Sequence, residues 1–160
     1  MILNKETADK KLRRMALEVA ERNYEKDSLT LIGIKENGIF IARKIAGYLK
    51  ESFKGNIQVV ELWLDKKDPG EIKLSEDINF NDKTILLVDD VANSGKTMLY
   101  ALKPLLQQKP REIQTLALVE RTHKKFPVAV DYVGLSISTT QQENIVVDVK
   151  DGEVMGARMG

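Results

Sequence analysis

Two kinds of hydrophobic pattern alternate along the chain. Apolar-rich runs of strand length occur at residues 29–34, 57–64, 85–88 and 113–119. Elsewhere apolar residues recur every three or four positions, which predicts helices over residues 4–24, 39–49 and 98–106. The buried stripe of the last helix would contain Met98, Leu102, Leu105 and Leu106. An alternation of strands and helices is typical of an α/β fold.

The stretch from Thr84 to Thr97 joins one strand to one helix. Two adjacent carboxylates, Asp89 and Asp90, and a short Ser/Gly/Thr turn lie between the apolar run and the helix. The first N–H groups of a helix lack backbone partners, and the helix dipole adds positive potential, so the turn is a candidate anion site. Phosphate fits this turn, and sugar hydroxyls or a metal-bound water fit the carboxylates.

Two other kinds of structure share part of this pattern. The triplet Gly95-Lys96-Thr97 resembles the end of an ATP-binding P-loop, but that motif needs a glycine where Asp90 stands. A carboxylate there would repel the phosphates, so the P-loop is excluded. The remaining alternative is a solvated strand end whose acids cap the next helix.

The same stretch carries a family resemblance. Four apolar residues, two acids, an apolar pair and a Ser/Thr-Gly-x-Thr turn resemble the phosphoribosyl-pyrophosphate (PRPP) loop of type I phosphoribosyltransferases. The resemblance implies a single phosphoribosyltransferase domain over residues 1–160, with a mostly parallel central sheet flanked by helices and a small hood. It also implies that Asp89 and Asp90 hold the ribose hydroxyls, directly or through Mg²⁺ and its waters. The PRPP and nucleotide loop would comprise Val91, Ala92, Asn93, Ser94, Gly95, Lys96 and Thr97, with its backbone N–H groups and hydroxyls on the 5′-phosphate.

A second strand, loop and helix begin at Leu29. The loop Lys35, Glu36, Asn37 and Gly38 follows the strand and is flanked by glycines that let the backbone approach an anion closely. It stands at the carboxyl end of a strand, where open α/β sheets bind ligands. By resemblance this loop grips the pyrophosphate, although an ordinary βα turn has the same pattern.

Residues 65–70 form a turn or mobile loop. Type I phosphoribosyltransferases carry here a flap, often with a Tyr-Arg or Ser-Tyr pair, which closes over PRPP and shields an oxocarbenium-like intermediate from water. This chain has Trp63-Leu64-Asp65-Lys66-Lys67, without an arginine at that place. Lys66 or Lys67 would neutralise the pyrophosphate instead, but lysine lacks the bidentate fork of arginine.

The choice of base depends on two departures from purine-specific members. Those enzymes usually place an aspartate where Asn93 stands and a lysine where Glu120 stands. Asn93 cannot act as a carboxylate base, and Glu120 would repel a purine carbonyl oxygen. Both departures argue against hypoxanthine and guanine, so purine salvage is kept only as an alternative.

Several short segments in chain order carry a closer similarity: Leu12-Arg13-Arg14, Glu21-Arg22-Asn23, Gly33-Ile34-Lys35, Val88 to Val91, Leu118 to His123, and Phe126-Pro127 followed by Asp131 to Gly134. They resemble the bifunctional regulators of pyrimidine-operon attenuation, which have uracil phosphoribosyltransferase activity. This resemblance implies transfer of the phosphoribosyl group of PRPP to uracil, giving UMP and pyrophosphate. The hood would be formed by residues between Asp131 and Ile145. Residues near the base or in the hood would be Arg121, His123, Asp131, Tyr132 and Val133. A lone histidine in a polar loop is, however, often a surface residue.

The resemblance also implies an RNA partner. These regulators bind an mRNA leader through a basic concave dimer surface, which would make the Arg13-Arg14 face and Lys124-Lys125 RNA contacts. On residue type alone the same arginines form an ordinary solvated helix face. A third alternative is a regulator that senses PRPP or UMP without catalysis. The apolar helix face and the resemblance together predict a homodimer or larger homo-oligomer.

Composition sets the outer limits. The 160 residues, 42% of them hydrophobic, suit one domain with one sizeable core. The absence of cysteine excludes disulfides, a thiol nucleophile and thiolate metal sites. No stretch is long and apolar enough to span a bilayer, and the start lacks a signal-peptide core, so a cytoplasmic location is expected. A net charge of +1 gives no reason to expect nucleic-acid binding outside a local patch.

Overall fold

Twelve helices and strands make up the computed structural model, which describes residues 1–138 and 144–160. Most of the predicted elements are present, with bounds that differ by a few residues. In chain order they are α1 (Lys5–Arg22), β1 (Ser28–Ile34), α2 (Gly38–Ser52), β2 (Asn56–Leu64), β3 (Ile72–Leu74), β4 (Thr84–Ala92), α3 (Lys96–Ala101), α4 (Lys103–Leu106), β5 (Glu112–Arg121), β6 (Tyr132–Ile137), β7 (Ile145–Lys150) and β8 (Glu153–Met159).

Six of the strands form the central sheet, in the order β3-β2-β1-β4-β5-β6. All neighbouring pairs are parallel except β2 and β3. From β1 the chain proceeds to β2 on one side, whereas β4, β5 and β6 follow on the other. The strand order therefore reverses between β1 and β4, and ligands of open α/β sheets bind at the carboxyl ends of the strands at such a point.

Apolar side chains cover both faces of the sheet, as the mostly parallel arrangement requires. One face packs against α1 and α2 through buried residues such as Leu12, Met15 and Ile45. The other face packs against Phe80, Met98 and Leu105. The predicted α/β architecture with helices on both sides of a mostly parallel sheet is thus confirmed. No helix in the described part of the chain is both long enough and apolar enough to cross a membrane.

The hood is a separate antiparallel pair, β7 and β8. Leu3 extends it by bridging to Ala157, whose N–H donates to the Leu3 carbonyl over 2.9 Å. The prediction that residues between Asp131 and Ile145 supply the hood is wrong for residues 132–137, because these form the sixth strand of the main sheet. Residues 139–143 of that predicted hood lie outside the described residues.

Two predicted boundaries are corrected at the carboxyl edge of the sheet. Strand β4 continues past Val88 to Ala92, so Asp89 and Asp90 lie within the strand and not in the following turn. Strand β5 likewise continues to Arg121, so Glu120 and Arg121 do not belong to a loop. Both extensions follow from pairing, because β4 and β5 stay in parallel register up to Ala92 opposite Glu120.

The single helix predicted over residues 98–106 is two short helices, α3 and α4. Pro104 stands in the first turn of α4 and has no N–H to continue the hydrogen-bond ladder of α3. The change in direction leaves Leu106 65% exposed, although it was predicted on the buried stripe, whereas Met98 and Leu105 are buried. The short antiparallel strand β3 was not predicted.

Candidate active site

Two buried carboxylates lie where β4 reaches the carboxyl edge of the sheet. Asp89 is 2% exposed and Asp90 8% exposed, which excludes a solvated strand end. The Asp89 carboxylate accepts a hydrogen bond of 2.8 Å from the Asp90 N–H, and the Asp90 carboxylate accepts one of 2.8 Å from the Val91 N–H. Because successive strand residues point to opposite faces, the two carboxylates face two different clefts.

Asp89 lines the larger of these clefts, called here the main cleft, which has a volume of about 700 Å³. One wall is the predicted nucleotide loop, and the opposite wall comes from the end of β5 and the residues that follow it. The lining residues are Lys66, Asp89, Val91, Ala92, Asn93, Ser94, Gly95, Thr97, Met98, Arg121, His123, Lys125 and Asn144.

The nucleotide loop is held by the segment after β5. The Ser94 carbonyl accepts hydrogen bonds from the N–H groups of Lys125 and Phe126, over 3.0 and 3.1 Å. Gly95 has φ +86°, a conformation that favours glycine, and then α3 begins at Lys96. Since α3 has only six residues, the loop's backbone groups, rather than the dipole of a long helix, are the candidate anion donors.

Asp90 faces a smaller cleft of about 350 Å³, called here the side cleft. Lys35, Glu36 and Asn37 of the first loop line it, together with Trp63, Leu64, Asp65 and Lys66. The Lys35–Glu36 peptide bond is cis. Lys35 forms an ion pair of 3.0 Å with Glu61 on β2, and Glu61 also pairs with Arg43 over 2.6 Å.

Gly38 brings the first loop against the acidic strand. A Cβ atom placed at this glycine would lie 2.8 Å from the Val88 carbonyl oxygen and 3.1 Å from the Cα of Asp89. Helix α2 starts at Gly38, so its first turn lies in direct contact with β4 beside the carboxylate pair. The first loop and the carboxylates therefore form one continuous surface.

Lys66 joins the two clefts. It lines both of them, and its Nζ lies 3.9 Å from an oxygen of Asp89. Lys67 is exposed, and its backbone N–H donates to Asp65 over 2.9 Å. Of the two lysines predicted to act in the flap, only Lys66 is among the described residues that line the clefts.

The β5 side of the main cleft holds Arg121 and His123. His123 is exposed, as expected for a lone histidine in a polar loop, yet it also lines this cleft. Its ring Nε2 lies 3.4 Å from the Ser138 hydroxyl. Glu120, in contrast, accepts a hydrogen bond of 2.9 Å from Ser136 and pairs with Lys124.

The comparison with known families decides what kind of domain carries this site. Residues 1–151 match the family described as phosphoribosyl transferase domain. The chain belongs to this family. The resemblance drawn from the PRPP-loop motif is confirmed.

Two curated relatives match this phosphoribosyl transferase domain over almost its whole length. A pyrimidine operon regulatory protein of Lactococcus lactis subsp. lactis is 34% identical, covering 94% of this chain and 90% of the relative. The bifunctional protein PyrR of Bacillus cereus is 33% identical, covering 94% of this chain and 91% of the relative. The predicted similarity to the pyrimidine-operon regulators is confirmed.

A solved structure shares the fold of the phosphoribosyl transferase domain. The crystal structure of the hypoxanthine phosphoribosyltransferase of Trypanosoma cruzi superposes with a TM-score of 0.81, covering 100% of this chain and 97% of that one. The sequences are 15% identical, so this likeness supports the fold alone. The type I phosphoribosyltransferase fold predicted from the motif is confirmed.

Electrostatics in the carboxylate pair favours a cation. Burial raises the pKa of the Asp89 carboxyl well above its ordinary value, and the neighbouring Asp90 charge raises it further. The Lys66 ammonium acts in the opposite direction. A ligand that brings positive charge to Asp89 would therefore stabilise its ionised form.

The donor set suits Mg²⁺ carried by a substrate. The part of the chain that the structure describes holds no cluster of three or more metal-binding side chains. Mg²⁺ is commonly held by one or two carboxylates, with its other ligands from substrate oxygens and water. Asp89 and Asp90 supply two carboxylates of this kind in this phosphoribosyl transferase domain, so the residues present fit the ion.

Three predicted base or hood residues lie away from the clefts. Asp131, Tyr132 and Val133 are at the amino end of β6, because this strand runs parallel to β5 and begins there. The Tyr132 hydroxyl donates to Gln114 over 2.6 Å, and Asp131 pairs with Arg22 of α1 over 3.6 Å. The structure does not bring these residues to the site.

Other residues of the main cleft were not predicted to line it. Met98 was expected only in the core, Lys125 only as an RNA contact, and Asn144 was not singled out. Asn144 directly precedes β7, so its position depends on how the hood packs onto the sheet. The sequence around it carries no motif that indicates this packing.

Proposed function

We propose that this domain transfers the 5-phosphoribosyl group of PRPP to uracil, giving UMP and pyrophosphate. The observation that carries the proposal is the convergence of three separate segments at the switch point of the sheet. The carboxylate pair, the first loop and the nucleotide loop meet around two adjoining clefts joined by Lys66.

Each segment has a distinct role in this proposal. Asp89 and Asp90 hold the ribose hydroxyls, and the loop from Lys35 to Gly38 holds the pyrophosphate in the side cleft. The nucleotide loop, residues 91–97, holds the 5′-phosphate in the main cleft, and the base lies beside Arg121 and His123. Mg²⁺, when bound with PRPP to Asp89 and Asp90 through water or ribose hydroxyls, would neutralise charge on the leaving group.

Catalysis in this arrangement comes from positioning and electrostatics. Positive charge builds up at the anomeric carbon as the bond to pyrophosphate breaks, and buried carboxylates beside the ribose stabilise it more strongly than they would in water. The two loops fix the phosphate groups at either end of the ribose, which aligns the anomeric carbon with the base nitrogen. No covalent intermediate with the protein is required.

The side chains near the base support a pyrimidine rather than a purine. The Asn93 side-chain amide donates to the Ile145 carbonyl over 3.3 Å, and its oxygen accepts from the Ile145 N–H over 3.2 Å. The Glu120 carboxylate is engaged by Lys124 and Ser136. Neither residue is therefore available for the contacts that purine-specific members make at these positions. The names of the curated relatives support pyrimidine metabolism as well.

The proposal is tested by release of pyrophosphate from PRPP and Mg²⁺ in the presence of uracil, hypoxanthine, guanine, xanthine, adenine or orotate. We expect release with uracil and formation of UMP, with the Asp90→Asn protein as the inactive control. Release with hypoxanthine or guanine instead would contradict the uracil assignment and favour purine salvage. No release with any base, together with a PRPP-induced rise in melting temperature, would favour a ligand sensor.

Lys66 should matter for turnover because it is the loop cation next to both clefts. We expect Lys66→Met to lower kcat/KM for PRPP by about tenfold or more, since it removes a charge that faces the phosphate groups. Lys67→Met, one residue further along the same loop, is the matched control and should change kcat/KM by less than about threefold. Equal losses in the two variants would argue against a specific role for Lys66.

A second candidate function is regulation of pyrimidine genes through an mRNA leader. The name of the Lactococcus lactis relative, a pyrimidine operon regulatory protein, supports the regulation of pyrimidine genes. The predicted basic face is partly neutralised within the protomer. Arg13 pairs with Asp9 and lies 4.7 Å from the centre of the Tyr48 ring, and Arg14 pairs with Glu18. A gel-shift with leader RNA, with and without UMP, tests this function independently of catalysis.

Other expectations about the whole protein also stay predictions. A homodimer or larger homo-oligomer is supported by two exposed apolar side chains, Leu17 on α1 and Tyr24 in the turn just after it, which are 60% and 75% exposed. A cytoplasmic location and a single domain over residues 1–160 belong to the same proposal.

A further inference from the structure

The hood strand β7 has a backbone edge that faces the two ligand loops. In the described part of the chain β7 pairs with β8 in a two-stranded sheet, which leaves its other edge without a strand partner. The carbonyls of Ile145 and Val147, two residues apart and therefore on the same edge, both accept hydrogen bonds from asparagine side chains. These bonds take the place of a neighbouring strand.

The two asparagines come from different ligand loops. Asn37 of the first loop donates to the Val147 carbonyl over 2.9 Å. Asn93 of the nucleotide loop donates to the Ile145 carbonyl and accepts from the Ile145 N–H, so its amide satisfies both backbone groups of one residue. Ile145 and Val147 are 3% and 1% exposed, so these polar backbone groups belong to buried residues, where missing partners are costly.

We propose that Asn37 and Asn93 are positioning residues that tie both ligand loops to β7, so that binding of PRPP to the loops also orders the base side of the main cleft. The connection is short, because Asn144 lines the main cleft and directly precedes Ile145. A change in the Ile145 backbone therefore moves a wall of the cleft. This inference rests on the proposed function, which supplies PRPP as the ligand. The hydrogen bonds from Asn37 and Asn93 to β7, called here the tie, do not depend on any ligand.

The tie is tested without ligand by hydrogen exchange of the segment 144–150. Asn37→Asp and Asn93→Asp keep the size and the acceptor oxygen of the side chain, but they replace the N–H donor with a carboxylate oxygen that repels the carbonyl. We expect exchange in this segment to be about fivefold to tenfold faster in each variant, the effect of losing one hydrogen bond. Asn56→Asp, an exposed change at the start of β2, is the matched control and should leave this exchange unchanged.

The coupling is tested by repeating the exchange with saturating PRPP and Mg²⁺. In the wild type, PRPP should slow the exchange of residues 144–150. In the double variant Asn37→Asp/Asn93→Asp it should not. Fluorescence of Trp63, the single tryptophan, should still report PRPP binding in the side cleft of the double variant. If the double variant does not fold, the single variants answer the same question with a smaller effect.

Three results would overturn parts of this inference separately. Wild-type exchange rates in both unliganded variants would overturn the tie. Undiminished PRPP protection of 144–150 in the double variant would overturn the coupling while leaving the tie intact. Failure of PRPP to bind the wild type would overturn the proposed function and the coupling together, and the unliganded comparison would still decide the tie.

Discussion

Asp89→Asn is expected to lower phosphoribosyl transfer by about a hundredfold or more and, at the same time, to make the protein more stable. Turnover falls because the neutral amide cannot stabilise positive charge on the ribose. Stability rises because Asp89 is buried beside a second carboxylate, so its ionised form is costly in the folded protein. The amide oxygen can still accept the hydrogen bond from the Asp90 N–H.

The gain in stability should depend on pH, with a sign that follows from the raised pKa of Asp89. Below its ordinary value of 3.8 the carboxyl is neutral in both the folded and the unfolded chain, so it costs nothing. As the pH rises above this value the unfolded chain releases the proton before the folded protein does, and the wild type loses stability. The advantage of Asp89→Asn should therefore be small at acidic pH and grow toward neutral pH.

Thermal unfolding in the presence of EDTA measures this effect, since bound Mg²⁺ would stabilise the wild type and mask it. At neutral pH we expect a gain on the order of 1 kcal/mol, which corresponds to about 2–4 °C in Tm for a chain of this size. Asp77→Asn, an exposed change in the segment between β3 and β4, should leave Tm and turnover unaltered. A lower Tm for Asp89→Asn at neutral pH would show that the ionised carboxylate stabilises the fold.

The acid pair and both loops were predictable because each is a local pattern. A buried strand ending in Asp89-Asp90 and a glycine-flanked loop at 33–38 are visible in a few consecutive residues, and the parallel sheet then brings their carboxyl ends together. The burial of the two acids was not predictable in this way. It depends on β4 staying paired with β5 as far as Ala92, which is a contact between distant parts of the chain.

The position of the residues after β5 could not be predicted from local pattern at all. Asp131 and Tyr132 precede an apolar run that local pattern cannot assign to the main sheet or to the hood. Parallel pairing with β5 sends the start of that run to the amino edge, away from the clefts. The contacts of Asn37 and Asn93 with β7 could not be predicted from local sequence either, because they join side chains to backbone groups 110 and 52 residues away.

The close contact between the first loop and the acidic strand predicts opposite effects for one substitution at two positions of α2. A Cβ at Gly38 would lie 2.8 Å from the Val88 carbonyl oxygen, and this neighbour is backbone that cannot rotate away. At Gly47 a Cβ would meet no atom within 4 Å. Gly38→Ala must therefore push the start of α2 away from β4, whereas Gly47→Ala only reduces the freedom of the unfolded chain.

We expect Gly38→Ala to destabilise the protein by roughly 1–3 kcal/mol and Gly47→Ala to stabilise it by roughly 0.5–1 kcal/mol. Gly38→Ala should also lower kcat/KM for PRPP by about tenfold or more, because a small displacement of the first loop separates it from Asp89 and Asp90. Denaturant unfolding and pyrophosphate release measure the two effects in the same samples. If the Gly38→Ala protein were less stable but kept wild-type turnover, the contact between Gly38 and β4 would serve folding alone. The first loop could then hold pyrophosphate without its present distance from Asp89 and Asp90.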